Sequence, residues 1–277
     1  MQDVTLNTQP MILCVAPNGA RKTKLEYPSL PISANELADT AASCQDAGAS
    51  MLHIHVRDSA GAHSLDVNRY KAAICAIRTA IGTDMILQIS TESLGIFSAE
   101  QQINAVKNVT PEAVSIAIRE LCPHSADEQQ AAVFFLWLWR EGIAPQYILY
   151  SVEDVLRFND LLQRGVVPNE RLSVLFVIGG HQKTDKDPTQ TLSNFLMAAR
   201  FTSLWMVCGF DSAEVHCTES AARLGGHTRV GFENNVLTQG GEKALDNAEL
   251  VSQAARITRN TGRKIADAMA ARRLLYE

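Results

Sequence analysis

Short runs rich in Val, Ile and Leu alternate along the chain with longer stretches whose apolar positions return at helical spacing. The short runs, at 11–15, 51–55, 85–90, 113–118, 146–150, 173–178, 203–208 and 228–232, read as strands. Helical spacing covers 67–81, 99–107, 126–141, 152–164, 189–199, 212–224 and 247–261, with a last helix over 266–275. A first helix follows Ser33, which forms a capping-box pattern with Glu36, and runs to about Gln45. Strand and helix therefore alternate with no long polar linker, which predicts parallel strands joined by right-handed crossovers. Eight such units favour closure, so the expected architecture is an α/β (β/α)8 TIM barrel, a single domain over residues 1–277. An open dinucleotide-binding sheet would carry GxGxxG after the first strand, where APNGARK stands instead.

Composition narrows the class. With 46% hydrophobic and 20% charged residues, a sizeable core can form and wholesale disorder is excluded. A net charge of −5 and the lack of any Lys/Arg run argue against nucleic acid as a partner, although a locally positive cleft could still take a small anion. The six cysteines form no CxxC pair and fall mostly in apolar runs, as reduced core thiols do. With no signal-peptide pattern and no membrane-length apolar run, no membrane partner and a cytoplasmic location are expected. The aromatic run FFLWLW at 134–139 is expected to pack a helix on the barrel rather than to form a subunit interface.

The chemistry concentrates in LHIHVRD, residues 52–58. Residues two apart on a strand share a face, so His53 and His55 project together into the barrel at the C-terminal end of its second strand. Two converging imidazoles suit Zn²⁺ or another divalent ion and leave room for a carboxylate; the competing reading is a pair of hydrogen-bonded core histidines. Glu233, in RVGFENN after the eighth strand, could complete a His₂Glu set, and His181 is a weaker substitute. Asn18, Ser90, Thr91 and Ser115 also fall at or near strand ends, where each alone would be ordinary turn or cap chemistry. There is no Walker loop, no GxSxG elbow and no Cys beside a plausible His base.

These segments together resemble the β-keto acid cleavage enzyme family, whose best-known member is 3-keto-5-aminohexanoate cleavage enzyme. The resemblance runs over nearly the whole chain: ILCVAPNGA, YPSLPIS, AGASMLHIHVRD, ILQIST, PEAVSIA, FVIGG, GGHTRVGFENN and DNAELV, then GRKIA before the last helix. It implies a TIM barrel that assembles as a homo-oligomer, a dimer or tetramer, and binds Zn²⁺ or another divalent metal. It further implies a co-substrate, acetyl-CoA, with which a small-molecule β-keto acid is converted to acetoacetate and a new acyl-CoA. By position His53, His55 and Glu233 match the metal ligands, Arg229 the active-site arginine, Ser90 the serine, and Ser115 a threonine of the best-known member. Asn18, Gly19, Arg21 and Thr91 join Ser115 as expected substrate-binding residues.

The departures bear on activity. Asn234 stands where the family pattern has an aspartate that helps the arginine in proton transfer, so Glu92 is a candidate replacement carboxylate. Gln146 and Ile148 stand where an acid is expected after the fifth strand, and Arg21 where a glutamate can meet a substrate ammonium. The expectation is an anionic or neutral β-keto acid rather than a 5-amino one, with Arg21 pairing a distal carboxylate, unless Arg21 simply joins a charged rim with Lys22 and Lys24. The rival readings are a catalytically weak metal-binding homologue and, more distantly, a hydrolase of amidohydrolase type.

Overall fold

The apolar runs become the staves of a closed parallel barrel, in a computed structural model that describes residues 9–180 and 187–276. The staves are β1 (Leu13–Val15), β2 (Met51–Ile54), β5 (Ile86–Ser90), β6 (Ala113–Ala117), β7 (Ala144–Leu149), β8 (Ser173–Ile178), β9 (Leu204–Gly209) and β10 (His227–Val230). They follow one another around the barrel, and β1 pairs in parallel with β10 to close it. A short antiparallel hairpin, β3 (Val56–Arg57) and β4 (His63–Ser64), stands outside the barrel sheet.

Helices α1 (Ala34–Asp46), α2 (Val67–Ile81), α3 (Ala99–Val109), α4 (Ile118–Leu121) and α5 (Glu128–Glu141) cover the first half. The second half carries α6 (Val152–Gln163), α7 (Pro188–Ala198), α8 (Ala213–Leu224), α9 (Asn247–Asn260) and α10 (Ala268–Tyr276). Local chemistry sets their starts: Ser33 and Glu36 form the expected capping box on α1, and Ser98 with Gln101 forms another on α3.

The alternation along each strand divides the core in two. In β8, Val174, Phe176 and Ile178 face the helices, while Leu175 and Val177 join the inner cluster. Ala271 and Leu275 of α10 pack into that inner cluster beside Met51, Ile86 and Ala113, which closes the barrel floor. Arg272 of α10 ties this floor by donating to Glu112 Oε1 at 2.6 Å and to the carbonyls of Thr83 and Met85. The C-terminal mouth is left open for a site.

Several boundaries differ from the sequence pattern. β7 starts at Ala144 and includes Pro145, which lacks an N–H and therefore reads as a break, but is tolerated near the strand's start. The hairpin and α4 are too short to show a period. β10 ends at Val230, so Glu233 sits on a tight turn in which Asn234 N and Asn235 N both donate to Gly231 O. The aromatic run on α5 serves the barrel with one face only: Phe134, Phe135 and Leu138 are buried, whereas Leu136 and Trp139 remain exposed. Five cysteines are buried and free, and Cys75 is exposed. Among the described residues no helix is long and apolar enough to cross a membrane.

Candidate active site

His53 is the third residue of β2, and His55 follows that strand directly, so the two imidazoles lie on one face at the mouth. Their Nε2 atoms are 3.1 Å apart. Glu233 Oε2 lies 3.5 Å from His53 Nε2 and 3.3 Å from His55 Nε2. Three donors bound tetrahedrally to Zn²⁺ at ~2.1 Å would stand roughly 3.4 Å apart, so this triangle matches the donor set of a divalent ion. Within the protein, Glu233 Oε2 and His55 Nδ1 have no hydrogen-bond partner among the described residues. A plain core histidine pair would not leave a buried carboxylate oxygen unsatisfied beside two ring nitrogens. The residues fit the ion.

A directed hydrogen-bond chain sets which nitrogen of His53 faces the triangle. Gln146 Nε2 donates to Ser173 Oγ at 3.3 Å, and Gln88 Nε2 donates to Gln146 Oε1 at 3.3 Å. Gln88 Oε1 then accepts from His53 Nδ1–H at 2.8 Å, which leaves the Nε2 lone pair facing His55 and Glu233. Burial pushes the His53 imidazole down to about 3, which keeps it neutral as a ligand must be. Burial alone would raise the Glu233 carboxyl, but the Arg229 guanidinium beside it leads the opposing effects and the group is held well below the usual range. Arg229 donates to Glu233 Oε1 at 3.0 Å and so turns Oε2 toward the histidines.

The backbone around the triangle is equally constrained. Gly19 has φ +59°, and a Cβ there would stand 2.6 Å from Glu233 Cγ, so the β1–α1 loop can lie against the glutamate only as glycine. Buried Arg57 staples this loop to the β3–β4 hairpin by donating to the carbonyls of Asn18, Gly19 and Lys22 and to that of Gly61 in the hairpin turn. On the far side, Glu214 of α8 accepts Gly231 N at 3.1 Å and Asn235 Nδ2 at 2.9 Å, and Asn247 Oδ1 accepts Phe232 N at 2.8 Å.

Above the triangle opens a cavity of about 440 Å³. Its wall brings together most of the residues expected from the sequence: His53, His55, Glu233 and Arg229, with Ser90, Thr91, Asn18, Gly19 and Arg21. Ser90 Oγ accepts the Glu92 N–H at 3.1 Å and keeps its own proton to donate, whereas the Thr91 hydroxyl is spent on Ser115 O at 2.8 Å. Ser115 and Asn234 are buried but do not line the cavity, and their side-chain polar atoms have no partner among the described residues. Arg21 is half exposed at the rim, with Nη2 3.3 Å from Glu92 Oε1. A distal carboxylate reaching for Arg21 would therefore compete with Glu92. His181 lies outside the described residues.

Four cationic side chains (Arg21, Lys22, Arg119, Arg229) share the cavity wall with four acidic ones (Glu92, Glu120, Asp211, Glu233). Lys22 Nζ donates to the Glu233 carbonyl at 2.8 Å, and Arg119 is held by Asp154 at 2.6 Å. Sequence reasoning missed Gln88, Lys22, Arg57 and Glu120. Gln88 carried a signal, a polar residue in the apolar run ILQIS in phase with Ser90; the others depend on loop geometry.

Residues 10–276 match the beta-keto acid cleavage enzyme family. The chain belongs to that family. A 3-keto-5-aminohexanoate cleavage enzyme from Acetoanaerobium sticklandii is 28% identical over 96% of this chain and 98% of its own. A 3-oxoadipate:acetyl-CoA acetyltransferase from Cupriavidus necator is 26% identical over 97% of this chain and 95% of its own. Among solved structures, apo ObcA superposes with a TM-score of 0.68 at 16% identity, which shows the shared barrel. That likeness covers 90% of this chain, which spans 65% of ObcA's length. As a member of the β-keto acid cleavage enzyme family this chain is an enzyme, and its departures from the family pattern now have places. Gln146 belongs to the hydrogen-bond chain behind His53, Ile148 to the cavity wall, and Asn234 to the buried side of the β10 turn.

Proposed function

We propose that this chain cleaves a β-keto acid with acetyl-CoA, giving acetoacetate and an acyl-CoA, and that it does so with a divalent ion, Zn²⁺ or a similar metal, on His53, His55 and Glu233. The observation that carries this reading is the triangle of two Nε2 atoms and one carboxylate oxygen at the barrel mouth, in a chain of this family. A bound divalent ion supplies Lewis-acid stabilisation of the negative charge that develops on the β-keto oxygen. Arg229, buried beside the triangle, fixes Glu233 and adds positive charge where an enolate forms. Ser90 offers a hydroxyl proton to the substrate, and Asn18 fixes His55 by donating to its carbonyl at 3.0 Å. The Asn234 amide cannot accept a proton, so that duty passes to a cavity carboxylate. Glu92, with Oε2 4.0 Å from His55 Nδ1, stands near the imidazoles.

The balance of charged side chains on the wall supports a reading of the substrate's sign. Four cations and four carboxylates cancel, and a divalent ion would leave the cavity positive. An anionic or neutral β-keto acid fits that field better than a 5-amino one. Acetyl-CoA labelled with ¹³C in both acetyl carbons, given with a β-keto acid to the metal-loaded enzyme, tests the reaction. The label should appear at C3 and C4 of acetoacetate. Consumption of the β-keto acid without acetyl-CoA would instead point to a hydrolase. Tight binding with no label transfer would favour a weak metal-binding homologue, the reading that Asn234 supports.

A further inference from the structure

The cavity wall has two unlike halves. On the β1, β5 and β6 side it is charged, with Arg21, Lys22, Glu92, Arg119 and Glu120. On the β7, β8 and β9 side it is apolar. Ile148 lies on the inward face of β7, in phase with Gln146, and Val177 lies on the inward face of the neighbouring β8. Tyr150 continues the β7 face two residues on, and Phe210 follows directly after β9. All four line the cavity and pack on the inner core cluster. Asp211 is the one acid at that edge of the lining, and it stands exposed at the rim.

The ring of Phe210 is held there by the backbone. Gly179 and Gly180, after β8, have φ +86° and +77°, and a Cβ on either would stand 3.2–3.3 Å from Phe210 atoms. The double glycine thus provides the close floor on which the ring lies. The guanidinium groups nearby are already engaged: Arg21 with Glu92, and Arg119 with Asp154 while it stacks on Tyr150 at 4.5 Å. A charged distal group pressed against Ile148 and Val177 would lose water to apolar side chains while Arg119, the cation over Tyr150, is already paired with Asp154, whereas an alkyl group would gain by burial.

Resting on the cleavage reading above, we propose that Ile148, Tyr150, Val177 and Phe210 form the specificity wall for an uncharged alkyl group on the keto side of the substrate. The substrate class is then a short 3-oxoalkanoate, and the choice between anionic and neutral distal groups falls to neutral. A difference of one methylene on such a wall changes substrate discrimination by roughly 10–200-fold.

The test uses the full-length, metal-loaded protein with 3-oxopentanoate, 3-oxohexanoate, 3-oxoadipate and 3-oxo-5-aminohexanoate. Binding is measured by calorimetry without acetyl-CoA, and kcat/KM is measured with it. The 3-oxohexanoate ion should bind at least tenfold tighter than the dicarboxylic and amino acids. Ile148→Asp should remove that preference and favour the 5-amino acid, while Phe210→Ala should admit longer chains without changing the KM for acetyl-CoA. Tighter binding of 3-oxoadipate or of the amino acid by the unaltered protein overturns the proposal. It is equally overturned if both variants shift the acetyl-CoA KM alike for every β-keto acid, which would assign the wall to the thioester's pantetheine arm. An alkyl preference in binding without acetyl transfer would sink the cleavage reading and leave the wall assignment standing.

Discussion

Gln88 and Gln146 carry no charge, yet together they decide which nitrogen of His53 faces the cavity. As the two amides lie, the chain from Ser173 ends with Gln88 Oε1 accepting from His53 Nδ1. Replacing Gln88 by Leu removes the acceptor without changing the three expected ligands. Metal affinity, read by competition with a chromogenic chelator, should fall by roughly 10–100-fold. Gln88→Glu, which restores an acceptor, should recover most of the loss; equal affinity in Gln88→Leu and the unaltered protein would refute the role. At this scale the sequence was informative about residues whose meaning is local. Two histidines at strand spacing are legible as a pair, and a Gln inside an apolar run is at least an anomaly. Arg57 and Lys22 were not legible, because their partners are backbone carbonyls of loops whose path a linear pattern does not fix.

Among elements, the β10 turn that carries Glu233 depends on α8. Glu214 reaches from α8 to hold both ends of the turn, through Gly231 N and Asn235 Nδ2. Burial lifts its carboxyl from the ordinary 4.5 to about 8, although the two hydrogen bonds oppose the shift. Between those values the folded chain keeps a proton that the unfolded chain has released. Stability therefore falls as pH rises, by up to about 1.4 kcal/mol per pH unit, and the effect levels off above about pH 8. Glu214→Gln removes this titration, so the stability difference between unaltered protein and variant should shrink or reverse from pH 5 to pH 8 in urea unfolding. A difference that stays constant with pH would contradict the buried, proton-holding state. Period and capping made the helices and barrel strands legible, since both signals are local. The turn after β10 was not, because its geometry is imposed from α8, α9 and the β1–α1 loop rather than by its own residues.

For the whole molecule, the strand–helix rhythm carried the topology, and the barrel's closure between β1 and β10 makes the rest of the arrangement possible. Closure brings Glu233, from the last turn, against histidines that lie 178 residues or more before it in the chain. Barrel closure made Glu233 a plausible third partner and the family resemblance singled it out; in the structure its Oε2 lies 3.3–3.5 Å from both imidazoles. The floor is sealed by α10, which leaves the C-terminal mouth open for the proposed ion, β-keto acid and thioester. Stepwise addition of Zn²⁺ to chelator-treated protein, following bound metal and acetyl transfer to acetoacetate together, tests this account most directly. Transfer should rise in proportion to the first ion bound per chain, and His53→Ala and Glu233→Gln should lose both signals. Full acetyl transfer by the metal-free protein, or one tight ion per chain retained in both variants, would contradict it.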